Sequence, residues 1–164
     1  MPTGYISIGS NIEREHNVRS SLIALEDYFG QLIISSVYES EAVGFSGNFF
    51  YNLIVAFKST LDVTLVAKQL REIELAHGRT RNSQKFSART LDLDLILYGD
   101  LVLTKERLQI PRDEIERYAF VLEPLAEIAA NLLHPISKKS YADLWCEFDK
   151  TNLKQHKIDL KLTI

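Results

Sequence analysis

The sequence is poor in the features that mark secreted, membrane-spanning and nucleic-acid-binding proteins. Its single cysteine, Cys146, excludes an internal disulfide and favours a reducing compartment, so we expect a cytoplasmic location. No apolar run is long enough to cross a bilayer, and none near the first residue resembles a signal peptide. Acidic residues outnumber basic ones by 22 to 19, which argues against a nucleic-acid partner.

The remaining composition is typical of one globular domain. Hydrophobic residues make up 46% of the 164 residues and charged residues 25%, which allows a core of useful size. We find no internal repeat, low-complexity run or linker. The interpretation is therefore a single domain over residues 1–164.

The hydrophobic periodicity predicts the order β-α-β-β-α-β in the first hundred residues. A two-residue period or β-branched and aromatic enrichment indicates strands at 3–11, 33–38, 51–57 and 90–98, and a helical period indicates a helix at 13–29. A second helix opens with a capping box at 59–62 and ends at Gly78. This order predicts a ferredoxin-like α+β fold, with an antiparallel sheet and both helices on one face. The other face would then be free for a site.

Smaller elements follow Gly99. We expect a short strand at 101–103 and short helices at 113–118, 121–130 and 141–148. Apolar and polar residues alternate in the tail at 157–164, a pattern compatible with an edge strand.

Two aspartates occupy one face of the strand at 90–98. Asp92 and Asp94 are about 6.5 to 7 Å apart at the backbone, and their face turns apolar at Ile96 and Tyr98. Aspartate is depleted in strands, so the pair needs an explanation. Paired carboxylates suit hard cations such as Mg²⁺, and paired cations clamp phosphate oxygens in many phosphoryl-transfer enzymes.

A basic loop directly precedes this strand. Its cations are Arg79, Arg81, Lys85 and Arg89. Acids that hold cations, beside bases that hold phosphate oxygens, form the arrangement that phosphoryl transfer needs. From these residues alone two interpretations stay open, a solvated strand face and a magnesium–nucleotide site.

Five segments occur in a fixed order and spacing. The central one is GRTRNSQKFSARTLDLDLILYG at 78–99, and the others are YISIGSN at 5–11, YNLIVAF at 51–57, RLQIP at 107–111 and FVLEPLAEIA at 120–129. Together they resemble the 6-hydroxymethyl-7,8-dihydropterin pyrophosphokinase family of folate biosynthesis. The similarity extends from about residue 4 to about residue 148, which leaves the tail at 149–164 outside it.

The resemblance implies a reaction. The hydroxymethyl oxygen of the pterin attacks the β-phosphorus of ATP, a pyrophosphoryl group moves and AMP leaves, with two Mg²⁺ ions as cofactors. Asp92 and Asp94 would be the metal ligands, and the cations would relieve their mutual repulsion. None of the four histidines is needed as a base, because this attack mostly needs positioning and charge neutralisation. We expect ATP and the pterin as the only partners of a monomer.

The resemblance also assigns site residues position by position. The predicted catalytic residues are Arg79, Arg89, Asp92 and Asp94. The predicted pterin-binding residues are Ser40, Val43, Phe50, Asn52 and Phe120, with the ring between the two phenylalanines and Asn52 at its polar edge. The predicted ATP-binding residues are Glu74, Arg81, Lys85, Phe86, Leu95, Arg107 and Arg112. Gly9 and Asn11 match a turn beside the substrates.

One segment, PRDEIERYAF at 111–120, departs from the family pattern. Arg112 stands where most of the family has His, and Tyr118 stands where Arg is frequent. We expect Arg112 to replace the contact of that His to phosphate or ribose. Asp113 and Glu114 would repel ATP if they faced it, so we expect both to point to solvent at a helix N-terminus.

The departure motivates an alternative function, that of a diverged relative that binds pterin or nucleotide without turnover. A third hypothesis is a metal-dependent nuclease or nucleotidyltransferase that uses the aspartate pair. The acidic balance and the lack of a further matching catalytic acid disfavour this third function.

Overall fold

The computed structural model describes residues 1–41, 49–78, 91–105, 107–160 and 162. Its strands are β1 Thr3–Ser10, β2 Ile33–Ile34, β3 Val37–Ser40, β4 Phe50–Lys58, β5 Asp92–Tyr98, β6 Leu103–Lys105, β7 Leu108–Ile110 and β8 Gln155–Ile158. Its helices are α1 Arg14–Phe29, α2 Val63–Ala76, α3 Glu114–Arg117, α4 Ala119–Ile128 and α5 Tyr141–Glu147. None of these helices is both long and apolar enough to span a membrane.

The main sheet has the strand order β5-β1-β4-β3-β8, and β2 also pairs with β4. Each of these pairings is antiparallel. The central order β5-β1-β4-β3 is that of a ferredoxin-like unit, in which the first strand lies between the last and the third. The predicted fold class is therefore confirmed. Strands β6 and β7 form a separate two-stranded sheet.

Helices α1 and α2 pack on one face of the main sheet. Their apolar stripes meet the inward side chains of β1, β4 and β5 in a core that contains Ile6, Ile8, Leu22, Leu25, Leu53, Val55, Phe57, Val66, Leu70, Leu93 and Leu95. Alternate residues of a strand point to opposite faces, so this packing turns Asp92 and Asp94 away from α1 and α2.

Helix α2 begins later than the capping box predicts. Its N-cap is Asp62, whose side chain accepts a hydrogen bond from the backbone N–H of Thr64 at 3.1 Å. The hydroxyl of Ser59 instead accepts from the N–H of Leu61 at 3.0 Å within the preceding turn. The serine therefore stabilises the turn before the helix, because its short side chain bonds to nearby backbone.

The strand predicted at 33–38 is interrupted at Ser35. Its backbone N–H donates to the carbonyl of Ile54 at 2.9 Å, and its hydroxyl accepts from the N–H of Ile54 at 2.9 Å. The side chain thus replaces a ladder bond where the pairing with β4 is irregular, which divides the segment into β2 and β3.

The second face of the main sheet is only partly free. Helices α3, α4 and α5 cover one end of it, around a cluster that contains Ile54, Ile96, Leu97, Ile115, Val121, Leu122, Leu125 and Tyr141. The expectation that this face is free for a site is therefore wrong for the end that these helices cover. The acidic face of β5 turns apolar where these helices pack on it.

A β-bulge in β5 changes the face of the sheet to which the side chains of its last residues point. The register of β5 against β1 shifts between Tyr5 and Ile6, where β5 carries the extra residue Ile96. Leu97 therefore joins Ile96 on the α4 side. Tyr98 packs with the α1 and α2 core, so the prediction that it shares the face of the aspartates is wrong.

The later elements lie close to their predicted positions. The short strand begins at Leu103 rather than at residue 101, and α3, α4 and α5 fall within two residues of the expected ranges. In the tail, β8 pairs with β3 at the edge of the sheet. It ends at Ile158, so it starts and ends earlier than the predicted 157–164.

Candidate active site

One cross-strand row brings a predicted pterin residue and a predicted metal ligand to the same face. Gly9 of β1 is the register partner of Asn52 on β4 and of Asp92 on β5. Paired residues of an antiparallel sheet share a face, and two strand spacings separate the backbones of Asn52 and Asp92 by about 9 to 10 Å. A Cβ at Gly9 would lie 3.5 Å from Oδ1 of Asn52, so the glycine leaves open space beside this amide.

The two aspartates occupy consecutive outward positions of β5, and both are half-buried. Asp94 is the register partner of Ser7, as Asp92 is of Gly9. Burial and the negative charge of Asp92 raise the pKa of the Asp94 carboxyl to about 8, while the charge of Arg112 acts in the opposite sense. Two hard oxygen donors that repel each other are the donor set that a divalent cation stabilises. The pair therefore fits Mg²⁺.

No group of three or more His, Cys, Asp or Glu side chains within the described ranges is arranged to hold a metal ion. The aspartates are a pair rather than a closed cage. Mg²⁺ suits such a site, because it is usually bound by one or two carboxylates together with water and substrate phosphates.

Glu74 of α2 fixes the segment of β5 that presents the aspartates. It is buried, and its Oε2 accepts a hydrogen bond from the backbone N–H of Leu93 at 2.7 Å. Leu93 lies between Asp92 and Asp94 in the chain. The helix thus holds the strand at the point from which both carboxylates project.

A cavity of about 430 Å³ lies between α2, β5 and the segment after β6. It is lined by Glu74, Asp94, Leu95, Arg107 and Arg112, among others. The structure therefore brings together the four predicted ATP-binding residues that it describes, beside one predicted metal ligand.

Arg112 lines this cavity, and its guanidinium is paired with a neighbouring carboxylate. Its backbone N–H donates to the carbonyl of Ile96 at 3.0 Å, which holds the segment before α3 against β5. Its Nε and Nη2 donate to Oε2 of Glu114 at 2.8 and 2.6 Å. Glu114 is only 7% exposed, so the expectation that it points to solvent is wrong. A half-buried guanidinium favours a partner, and the nearby carboxylate provides it.

Asp113 lies at the surface, as expected. Its carboxylate accepts a hydrogen bond from Nη1 of Arg117 at 3.1 Å, and both side chains are about half exposed. The two residues are one helical turn apart, so the exposed carboxylate of Asp113 has a partner at the surface.

The predicted pterin residues form a second group on the same face of the sheet. Asn52 is buried, and its Nδ2 donates to the hydroxyl of Ser40 at 2.6 Å. Phe50 is the register partner of Ser40, so its side chain shares this face. Ser40 and Phe120 line a common cavity of about 340 Å³.

The ring of Phe120 is stacked on a residue that the sequence did not suggest for this pocket. Tyr118 lies parallel to it, with 5.0 Å between ring centroids and 19° between ring planes. Tyr118 lines the same cavity, as do Asn152, Leu153 and Gln155 of the tail. No local sequence signal indicates these tail residues, because they come close to α4 only through the pairing of β8 with β3.

Six predicted site residues lie outside the described residues. They are Val43, Arg79, Arg81, Lys85, Phe86 and Arg89.

Comparisons with known proteins identify the family of the chain. The family model for 7,8-dihydro-6-hydroxymethylpterin-pyrophosphokinase (HPPK) matches residues 5–130. The chain is 35% identical over 142 residues to the 2-amino-4-hydroxy-6-hydroxymethyldihydropteridine pyrophosphokinase of Aquifex aeolicus strain VF5, over 85% of this chain and 88% of that relative. It is 33% identical over 153 residues to the enzyme of that name from Haemophilus influenzae strain Rd, over 87% of this chain and 95% of that relative.

The fold also occurs in a solved structure. The crystal structure of wild-type Plasmodium falciparum HPPK-DHPS superposes with a TM-score of 0.69 at 14% identity, over 89% of this chain. The chain spans 44% of the length of that solved chain, and at this identity the likeness supports the fold alone. The extent of the family match and the identity to full-length relatives decide the assignment. The chain belongs to the 7,8-dihydro-6-hydroxymethylpterin-pyrophosphokinase family.

Proposed function

We propose that this chain transfers pyrophosphate from ATP to the hydroxymethyl group of 6-hydroxymethyl-7,8-dihydropterin, releasing AMP, in folate biosynthesis. Family membership supports an ATP-dependent pyrophosphokinase. The observation that carries the proposal is the row in which Gly9 separates Asn52 from Asp92. The backbones of these two residues are about 9 to 10 Å apart, so the hydroxymethyl group of a pterin bound at Asn52 would lie close to phosphates bound at Asp92.

The pterin pocket is assigned to Asn52, Ser40, Phe50 and Phe120, with Val43 added by sequence. An amide offers both donors and an acceptor to the polar edge of the ring, and the contact with Ser40 orients this amide. Aromatic side chains offer flat apolar walls to the faces of the ring. These roles explain why a polar asparagine is buried on this face, next to Gly9, which has no side chain to fill the space beside the amide.

Asp92 and Asp94 are assigned to hold Mg²⁺, with two ions as the proposed number. When bound, the cations neutralise charge on the phosphate oxygens of ATP. The chain itself presents both carboxylates from one face of β5, and Glu74 holds the backbone between them. The raised pKa of the Asp94 carboxyl is consistent with the assignment, because burial first and the charge of Asp92 second disfavour the ionised form, which a bound cation would stabilise.

The cavity beside β5 is assigned to ATP. Arg107 and Arg112 would hold phosphate or ribose oxygens, and Arg79, Arg81, Lys85 and Arg89 of the preceding loop would complete the cationic side. Arg79 and Arg89 are assigned to the transferring phosphates, where guanidinium forks suit paired oxygens. Phe86 would close over the substrates and exclude water.

The remaining expectations are a monomer and a cytoplasmic location, with ATP and the pterin as its only partners. The single cysteine is the basis for a reducing compartment. A relative without turnover is not favoured, because Asp94 and the four described residues predicted to bind ATP line one cavity.

The test is an assay of AMP. Purified protein with ATP, Mg²⁺ and the reduced pterin should release one AMP for each pterin consumed, and no AMP without the pterin. Release of ADP instead would contradict pyrophosphate transfer. Binding of the pterin in calorimetry without AMP release would establish the non-catalytic alternative.

A further inference from the structure

The chain continues beyond the region that the family model matches, and this continuation reaches the pterin pocket. The match ends at residue 130, whereas β8 lies at Gln155–Ile158. In the register of β8 with β3, Gln155 is the partner of Ser40, which is in turn the partner of Phe50. The three side chains therefore share the face of the sheet that carries the predicted pterin residues.

Gln155 also bonds to the helix that carries Phe120. Its Nε2 donates to the carbonyl oxygen of Ala119 at 3.1 Å and to Oε1 of Glu123 at 2.7 Å. These acceptors belong to the first five residues of α4, on either side of Phe120 in the chain. Gln155 therefore links β8 to the beginning of α4.

The same part of the tail forms a wall of the cavity. Asn152, Leu153 and Gln155 line the space of about 340 Å³ that Ser40 and Phe120 also line. One side chain thus spans the two sides of the pocket, since its backbone pairs with β3 and its amide bonds to α4.

We propose that Gln155 is a positioning residue of the pterin site, and that the tail at 152–155 forms the outer wall of that site. Gln155 holds the first turn of α4 at a fixed distance from β3, and this distance sets the gap into which the pterin enters beside Phe120. The proposal rests on the proposed function, because it assigns this cavity to the pterin.

The experiment replaces Gln155 by the isosteric acid. Gln155→Glu removes both donors and places a carboxylate against Glu123 and the carbonyl of Ala119. The KM for the pterin should rise about 5- to 20-fold, which is less than the full loss of a hydrogen bond to a charged acceptor because Gln155 acts on the pterin only through α4. The kcat and the KM for ATP should stay within about twofold. His156→Gln is the matched control, because its side chain is exposed on the opposite face of the same strand, and it should change none of the three.

A double variant distinguishes positioning from loss of stability. Gln155→Glu combined with Glu123→Gln exchanges donor and acceptor, so the pterin KM should fall back at least halfway on a logarithmic scale. An unchanged pterin KM in a folded Gln155→Glu variant would overturn the proposal. The proposal would also be overturned if Gln155→Glu lowered kcat and raised both KM values to the same extent, and if the double variant restored none of them.

Binding separates this proposal from the proposed function. Calorimetry with the reduced pterin, α,β-methylene-ATP and Mg²⁺ should show the same 5- to 20-fold weakening in Gln155→Glu. If the unaltered chain binds the pterin but releases no AMP, the function fails while the role of Gln155 is still measured. If the variant binds as tightly as the unaltered chain, the role of Gln155 fails while the function stands.

Discussion

Oε2 of Glu74 accepts a hydrogen bond from the backbone N–H of Leu93 at 2.7 Å, between the two positions from which Asp92 and Asp94 project. Because the bond links α2 to β5, the acidic side chain acts on the backbone that positions the proposed metal ligands. A residue predicted only as an ATP contact thus also has a structural role.

Glu74→Ala should lower both stability and activity. It leaves the N–H of Leu93 without this acceptor in a buried place, which costs about 1 to 3 kcal/mol of unfolding free energy. Glu74→Gln keeps an acceptor oxygen, so it should lose less than half as much. Urea unfolding of the three proteins measures the difference. Equal stability of Glu74→Ala and the unaltered chain would show that the bond is not needed.

Asp94→Asn should abolish turnover while it stabilises the metal-free protein. The half-buried carboxylate loses solvation and is repelled by Asp92, and Arg112 offsets this cost only in part, so the isosteric amide removes a cost that remains until a cation binds. In a chain of this length each kcal/mol gained raises Tm by about 2 to 4 °C. Thermal unfolding in EDTA at pH 8 and the AMP assay measure the two effects.

The exposed Asp100, in the turn after β5, provides the control for this prediction. Asp100→Asn should change neither Tm nor turnover. An Asp94→Asn variant that is less stable than the unaltered chain without metal would contradict the proposed repulsion. Near-native turnover of that variant at saturating Mg²⁺ would contradict the metal assignment.

Arg112→Ala should raise the KM for ATP about tenfold and leave pterin binding nearly unchanged, because its guanidinium lines the ATP cavity. The substitution also leaves Glu114 buried without this partner. The double variant Arg112→Ala with Glu114→Gln removes that second effect and should keep the raised KM. Arg19→Ala is the control, because Arg19 pairs with Glu15 on α1 and lines neither of the two cavities. An unchanged KM for ATP in the double variant would show that Arg112 does not contact the nucleotide.

Phe50→Ala and Phe120→Ala should each weaken pterin binding by about 1 to 3 kcal/mol, since each removes apolar area and one stacking face. The affinity for ATP should change little. Phe49 is adjacent to Phe50 but exposed, so Phe49→Ala serves as the control in the same calorimetric titration. If Phe49→Ala weakened pterin binding and Phe50→Ala did not, the assignment of Phe50 to the pterin pocket would be wrong.

The fold was predictable because strong local patterns specify it. The order of elements follows from the alternation in the strands and from the apolar stripes of α1 and α2. Few sheet topologies are compatible with that order. The bulge was not predictable, because Ile96, Leu97 and Tyr98 are all apolar and a run of apolar residues carries no two-residue period. The position of β8 was not predictable either, because it depends on pairing with distant β3.

The site was predictable where it depends on strand spacing, as in the shared face of Asp92 and Asp94. The exposed position expected for Glu114 was wrong for an energetic reason. A helix N-terminus stabilises an acid by about 0.3 to 1 kcal/mol, whereas a hydrogen-bonded ion pair with a half-buried guanidinium contributes more. Which effect dominates depends on burial at Arg112, which the sequence does not reveal.

His134 should make stability depend on pH. It is buried, and its Nδ1 accepts from the N–H groups of Ile136 and Ser137 at 3.1 and 3.2 Å, so protonation there would break both bonds. Burial lowers the pKa of the His134 imidazole, although Glu116, 3.2 Å from Nε2, opposes the shift.

The direction of the effect follows from the lowered pKa. As pH falls below about 6.5, the ordinary value for histidine, the unfolded chain binds a proton that the folded chain does not, so stability falls. The slope that His134 contributes is at most about 1.4 kcal/mol per pH unit. Asp94 acts in the opposite sense, because its raised pKa lets the folded state bind a proton first. The comparison that isolates His134 is therefore between the unaltered chain and His134→Asn, whose amide oxygen keeps an acceptor but does not titrate. Urea unfolding in EDTA from pH 5 to pH 8 should show a steeper acid loss in the unaltered chain, and parallel curves would show that His134 binds its proton equally in both states.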